Sequence, residues 1–335
     1  MPEMLLWRAL NDALRTAMRE DERVFVMGED IARWATGGGI FGVTRGLLGD
    51  FGPERVRETP ISEEAIVAAG VGAAMAGARP VVEIMYSDFS LLALDPIINQ
   101  AAKAHYMFGG QFAVPLVVRS NGGAASGKAA QHSQSLETLF AHIPGLEVVL
   151  PAFPHDARAL LLASIRSPNP TIFLEHKALY SIRGPVEDEE APLGRAKIVR
   201  HGSDLTVIAT QLMVHRALEA AVVLSREGVE VTIFDLRKLY PLDLETVADC
   251  VRSTRRAIVC HEAPRLFGFG AELAAHLQEE LWDELDAPIP RVGGARAPVP
   301  YSPPLEDAVI PSAADIVTAA LAITQRRASA ASAQS

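Results

Sequence analysis

Short apolar runs recur along the whole chain, and each is followed by a stretch with helical spacing. The runs at residues 24–27, 81–85, 116–118, 148–150 and 171–174 are apolar at successive positions, not only at alternate ones. A strand of that kind is buried on both faces, which requires a parallel sheet covered by helices. Ahead of the first run, Trp7, Leu10, Leu14 and Met18 fall at helical spacing, so the chain opens on an amphipathic helix that ends near Glu20. Residues 1–185 therefore read as one α/β domain.

From 186 to 203 the periodicity lapses into proline, glycine and an acidic run, Glu187-Asp188-Glu189-Glu190, which marks a linker. A second series of β runs follows at 205–208, 229–234, 257–260 and 289–292. Helical stretches at 215–226, 244–252 and 270–282 separate them, and a last helix covers 313–325. Residues 204–325 make a second, smaller α/β domain, and the Ala/Ser-rich tail 326–335 reads as disordered. A length of 335 residues agrees with two such domains, at roughly 150 residues each.

The formal net charge of -10 lacks the electrostatic footprint of a nucleic-acid binder. Cys250 and Cys260, the only cysteines, form no zinc-ligand pattern and no disulfide framework, which fits a reducing cytoplasm. The longest uncharged apolar stretch, 65–78, is well short of the roughly 20 residues that cross a bilayer, and it reads as a buried helix. Glu3, Arg8 and Asp12 interrupt what would be the apolar core of a signal peptide. The expectation is a cytoplasmic protein with no membrane and no nucleic-acid partner.

Three glycine patterns invite a nucleotide reading. The segment from Gly122 to Ala129 nearly matches a P-loop, but Ala129 lacks the hydroxyl that an NTPase needs for magnesium. The patterns at Gly268/Gly270 and Gly70/Gly72 each lack the third glycine of a dinucleotide fingerprint and read as helix starts or close helix packing.

Two segments carry more chemistry. In Glu58-Thr59-Pro60-Ile61-Ser62-Glu63-Glu64, Thr59 or Ser62 can cap the apolar helix that comes next, and the helix dipole favours acidic residues in its first turn. Equally, Glu63 beside Ile61 at the edge of a core suits partly desolvated proton chemistry. His132, in a polar loop after a predicted strand, is either a solvent-facing loop histidine or a proton shuttle placed where α/β proteins bind ligands. His261 with Glu262 is a lesser candidate for a domain-face role.

The segment Glu58 to Glu63, together with Tyr106-Met107-Phe108-Gly109-Gly110, Ala129-Ala130-Gln131-His132-Ser133-Gln134-Ser135 and Phe173-Leu174-Glu175-His176-Lys177, resembles a known family. It is the beta subunit of the thiamine-diphosphate-dependent first component of 2-oxo acid dehydrogenase complexes, and the resemblance runs over residues 4–325. It implies two doubly wound α/β domains with mainly parallel sheets, a pyrimidine-binding domain followed by a transketolase C-terminal-like domain. It also accounts for a motif that is missing. Thiamine enzymes hold the diphosphate through Mg2+ with a Gly-Asp-Gly segment, and this chain has none. The resemblance therefore implies a partner alpha subunit that carries it, in a heterotetramer, and a beta chain that is inert alone.

Carried over residue by residue, the resemblance makes Glu63 the carboxylate on the aminopyrimidine ring and His132 the histidine facing the reacting carbons. Glu29, Ile61, Met85 and Phe89 match the residues that surround the ring. Leu116, Ser164, Ile165, Ser167 and Asn169 align with a potassium site in some relatives, with serines where others have alanine and aspartate. The implied activity is oxidative decarboxylation of a 2-oxo acid and acyl transfer to a lipoyl group on an acyltransferase core. Pyruvate stands first as substrate, with acetoin and branched-chain 2-oxo acids as alternatives. Two other classes remain as competing readings, a P-loop ATPase and a non-catalytic scaffold.

Overall fold

A seven-stranded sheet dominates the first half of the chain. The computed structural model describes residues 3–32, 37–125, 127–187 and 195–324. They fall into two units, one built on residues 1–123, 131–193 and 238–241, the other on 124–130, 194–237 and 242–335.

The first unit opens with β1 (Glu3–Leu5) and α1 (Leu6–Glu20), whose Leu6, Leu10, Leu14 and Met18 are buried with three alanines between them, while Trp7 lies at the edge of that face. Then come β2 (Val24–Gly28), α2 (Leu47–Phe51), β3 (Val56–Glu58), α3 (Glu63–Met75), β4 (Arg79–Ile84), α4 (Ala102–Met107), β5 (Val117–Gly122), α5 (Glu137–Ala141), β6 (Glu147–Val149), α6 (Pro154–Arg166), β7 (Thr171–His176) and β8 (Arg183–Pro185). The sheet runs β6-β7-β5-β4-β2-β3, all parallel, with the strand Lys238–Tyr240 added antiparallel on β6. β1 and β8 pair antiparallel in a separate ribbon. The expected strands are present, each within a few residues of its predicted limits.

The chain leaves β2 to one side for β3 and returns to the other side as β4. Where strand order reverses in this way, the carboxyl ends of the strands open a crevice for ligands. α3 closes against the sheet through Ile66, Val67, Gly70, Val71 and Ala74. A methyl group on Gly70 would lie 2.8 Å from Val82 Cγ1, so this glycine permits close helix-to-sheet packing. The expectation of a wholly buried helix needs correction: Ala65, Ala68, Ala69 and Gly72 are exposed, because a helix laid on one sheet buries only one face.

The second unit contains β9 (Lys197–Arg200), β10 (Leu205–Ala209), α7 (Leu212–Arg226), β11 (Val231–Asp235), α8 (Leu244–Thr254), β13 (Ala257–Pro264), α9 (Phe269–Glu280), β14 (Arg291–Gly294), α10 (Pro303–Val309) and α11 (Ala313–Thr324); the strand Lys238–Tyr240, placed above on the first sheet, is β12. Its sheet runs β14-β13-β10-β11-β9, parallel except for β9 at the edge.

Three expected boundaries change. The linker 186–203 contains β9, whose four residues are too short and too charged at the ends to stand out as a strand. Residues 238–241 belong to the first unit, since Lys238 and Tyr240 pair with Val149 and Val148 of β6. Residues 124–130 belong to the second unit, where the Ala124 amide donates to Glu262 Oε1 at 2.6 Å and the Gly127 amide to Glu306 Oε2 at 3.1 Å. Residues 188–194 of the linker, with most of its acidic run, and the tail 326–335 lie outside the described residues.

Candidate active site

Four segments meet at the carboxyl ends of β2 to β5. Glu29 follows β2, Thr59 to Ser62 follow β3 and lead into α3, Met85 to Phe89 follow β4, and the loop with His132 follows β5. Five polar side-chain atoms along this edge are buried without a hydrogen-bonding partner: Glu29 Oε2, Thr59 Oγ1, Asp88 Oδ2, Asn121 Oδ1 and Ser133 Oγ. Buried polar groups in native proteins are almost always satisfied, so such a concentration on one sheet edge points to a polar ligand.

Glu63 is the first residue of α3 and only 8% exposed. Ser62 occupies the capping position, but its hydroxyl makes no capping bond, and Thr59 Oγ1 is among the unsatisfied atoms. Capping by either side chain, one of the two readings of this segment, is therefore not what the structure shows. The Thr59 amide instead donates to the Gly28 carbonyl at 3.0 Å, which ties the Glu63 segment to the end of β2 beside Glu29. The Glu29 carboxyl is pushed above the usual carboxylate range, first by burial and then by the charges of Glu63, Asp30 and Glu83. Ile61 is 79% exposed, so little of this chain packs on it.

His132 lies edge-on to two rings, Tyr86 at 4.6 Å and Phe89 at 5.1 Å between centroids. Its loop is pinned to the segment after β4: Gln134 Nε2 donates to Asp88 Oδ1 at 2.8 Å, and Ser87 Oγ donates to the Gln134 carbonyl at 3.1 Å. The Lys177 ammonium donates to the carbonyls of His132 and Gly123. Gly123 has φ +81°, and a Cβ there would overlap the His176 ring. The structure thus brings Phe89 and His132 together. Met85, half-buried, contributes its carbonyl to Asn121 Nδ2.

Behind this edge lies a buried charge cluster that pattern reading missed. Arg119, in the middle of β5, donates to Glu83 on β4 and to Glu175 on β7, and Tyr180 donates to Glu175. Charged residues inside otherwise apolar parallel strands were the available signal. Their burial is tolerated only because each is paired.

The residues aligned with a potassium site are engaged by protein groups. The Leu116 carbonyl accepts from the Thr171 amide at 2.8 Å, and Ser164 Oγ donates to the Leu160 carbonyl at 2.7 Å. Arg79 Nη1 donates to the carbonyls of Ile165 at 2.8 Å and Ser167 at 3.2 Å. Asn169 Nδ2 donates to Glu147 at 2.9 Å. This donor set does not fit a potassium ion, because a guanidinium already holds two of its carbonyls.

Two other candidates resolve structurally. The P-loop reading fails again, since among the described residues no helix begins between Lys128 and Glu137, and glutamates take the Ala124 and Gly127 amides. His261 is fully buried against Phe269, inside a cage where Cβ atoms on Gly268 or Gly270 would overlap its ring. Its Nδ1 is hydrogen-bonded to the Ala263 carbonyl at 3.0 Å, and Glu262 holds the Ala124 amide.

Comparison with known proteins identifies both domains. Residues 3–183 match the family described as transketolase, pyrimidine binding domain, and residues 194–316 match transketolase, C-terminal domain. The chain is 46% identical over 321 residues to the beta subunit of acetoin:2,6-dichlorophenolindophenol oxidoreductase of Cupriavidus necator, covering 93% of this chain and 95% of that one. It is 44% identical over 313 residues to the pyruvate dehydrogenase E1 component subunit beta of Rickettsia felis, with the same two coverages. A rice mitochondrial pyruvate dehydrogenase E1 subunit beta-2 is also 44% identical, over 95% of this chain and 85% of that one. Among solved structures, a split gene transketolase described as an inactive beta4 tetramer superposes with a TM-score of 0.78 over 96% of this chain and 98% of that one, at 20% identity, which shows the shared fold. The chain belongs to the family of E1 beta subunits of 2-oxo acid dehydrogenases, built from a transketolase pyrimidine-binding domain and a transketolase C-terminal domain.

Proposed function

We propose that this chain supplies the pyrimidine-binding half of a thiamine-diphosphate-dependent pyruvate dehydrogenase, acting with an alpha subunit that holds the diphosphate through Mg2+. The observation that carries the reading is the row of unsatisfied buried polar atoms beside Glu63, Phe89 and His132. A flat heteroaromatic ring bearing nitrogen donors and acceptors fits a site of carboxylates, one half-buried phenyl ring and unpaired oxygens.

Thiamine diphosphate, when bound, supplies a carbon nucleophile for the 2-oxo carbon. Glu63 would share a proton with a ring nitrogen of the aminopyrimidine. Phe89 would give the ring a packing face. His132, held edge-on by Tyr86 and Phe89, would present an imidazole nitrogen to the substrate carboxylate and then to the sulfur of a lipoyl group on an acyltransferase core. The exposed Ala65, Ala68, Ala69 and Gly72 face, with Leu92, Tyr106 and Met107, supports an obligate partner, since exposed apolar surface of this extent marks an interaction site.

Acetoin stands as the second reading, supported by the identity to the Cupriavidus necator subunit. The test is to co-purify the chain with the product of the neighbouring reading frame, add thiamine diphosphate and Mg2+, and screen 2-oxo acids and acetoin for dye reduction. Turnover of pyruvate is expected. Turnover of acetoin alone selects the second reading, and a stable complex that turns over none of them makes the chain a scaffold.

A further inference from the structure

The last turn of α6 and the segment that joins it to β7 are held from two sides by the protein's own cations. On one side, Arg79 Nη1 reaches the carbonyls of Ile165 and Ser167 at 2.8 and 3.2 Å, while Arg79 Nε lies 3.6 Å from Asp21 Oδ2. On the other, the carboxylate of Glu147 gathers three donors: Lys238 Nζ at 2.9 Å, Asn169 Nδ2 at 2.9 Å and Ser167 Oγ at 3.4 Å. The Asn169 amide closes back on Ser167 Oγ at 3.1 Å. Lys238 and Glu147 are nearly inaccessible, with side chains 3% and 11% exposed.

We infer that Arg79 and Lys238 do in this chain the work that a bound potassium ion would otherwise do, so that the 164–169 segment is clamped without any monovalent metal. Three features carry it. A guanidinium held by two carbonyls puts positive charge where a cation would have to enter, and like charges repel strongly at low local dielectric. The side chain at 167 is a hydroxyl that can contribute no charge, and it is engaged by Glu147. The remaining carboxylate, Glu147, is neutralised by an ammonium contributed by β12.

The clamp reaches the site through β7. Thr171 begins that strand one residue after the clamped segment, the strand runs on to Glu175 and His176, and Lys177 follows its end. Those residues hold the Arg119 cluster and the His132 loop, so the segment sets the position of the site's rear wall from its far end.

The test is thermal unfolding of the full chain in KCl, NaCl and choline chloride at about 0.1 M ionic strength, where general screening is the same in all three salts. The expected result is one Tm, within about 1 °C, in every salt. A saturable rise of several degrees in KCl alone would overturn the inference. Arg79→Ala and Lys238→Met are each expected to lower Tm by several degrees, and a variant with unchanged Tm would remove that cation from the clamp. If Arg79→Ala does not fold, Arg79→Lys, which keeps a cation on the carbonyls, should fold and remain indifferent to potassium; a potassium-dependent Tm there overturns the proposal equally. None of these readouts involves turnover, so they stand or fall apart from the proposed activity.

Discussion

Arg119 holds both carboxylate oxygens of Glu175, Nε on Oε1 at 2.7 Å and Nη2 on Oε2 at 2.8 Å, and directs its remaining terminal nitrogen to Glu83 at 2.6 Å. Burial raises the Glu175 carboxyl, and the guanidinium opposes that rise; Arg119 itself is pushed above its ordinary range by the two carboxylates, against the effect of burial. Removing one partner of such a cluster leaves the others as uncompensated buried charge. Arg119→Met is therefore expected to cost about 3–5 kcal/mol in urea unfolding. Arg119→Lys should recover only part of that, because one ammonium cannot reproduce the two-pronged hold on Glu175. A Met variant within 1 kcal/mol of wild type, by roughly the margin of ordinary surface changes, would remove the cluster from the fold's support.

The strands of this fold were legible because a parallel sheet requires runs that are apolar on both faces, and the runs at 24–27 and 205–208 show it plainly. What composition hides is pairing across long separations. β12 sits on the first sheet through contacts with Val148 and Val149 some ninety positions earlier, and no local pattern announces that. Of the candidate site, Glu63 and His132 were legible because they lie in motifs, and Phe89 through the resemblance those motifs carry. The pairing of Arg119 with Glu175 and of Lys177 with the His132 carbonyl was not, although Glu175 and Lys177 lie in one of those motifs, because a charge has such meaning only once its partner strand or loop is known.

Glu63→Gln keeps the shape and the helix start but removes the proton-sharing carboxylate. In the reconstituted complex it is expected to leave assembly intact and to lower decarboxylation about a hundredfold or more, the size of acid-base assistance. Turnover within a factor of about three of wild type would end the assignment of Glu63 to proton chemistry.

His132→Ala should reduce acyl transfer to the lipoyl group more than decarboxylation, measured by single-turnover CO2 release against lipoyl acylation. Lys177→Met is expected to shift the same ratio in the same direction, because the ammonium that fixes the His132 carbonyl is lost. Equal small losses in both half-reactions would make His132 an ordinary loop residue.

Gly70→Ala tests the packing of α3. Its Cβ would stand 2.8 Å from Val82 Cγ1 and 3.1 Å from Leu116 Cδ1, so the helix must lift or the sheet side chains must turn. Overpacking of this kind costs about 1–3 kcal/mol, outweighing the gain in helix propensity of up to about 1 kcal/mol. Because α3 begins with Glu63, the loss of stability should be accompanied by reduced cofactor affinity. A stabilised variant would show that the helix has room to spare.

His261 gives the fold a pH dependence whose sign is determined. Burial, with a smaller push from Arg291, moves the imidazole down to about 4 against the pull of the Ala263 carbonyl. The folded chain then binds fewer protons at this position than the unfolded chain, whose histidine titrates near 6.5. Its contribution to stability is complete above pH about 6.5 and is lost as pH falls through about 4, on the order of 3 kcal/mol in all. His261→Gln, which cannot titrate, should lower stability at neutral pH by loss of packing on Phe269, yet narrow its deficit steadily as the pH falls from about 6.5 to 4. Urea unfolding of both proteins at closely spaced pH values measures that gap, and curves that stay parallel across the interval would mean that the imidazole is no drier in the fold than in the unfolded chain.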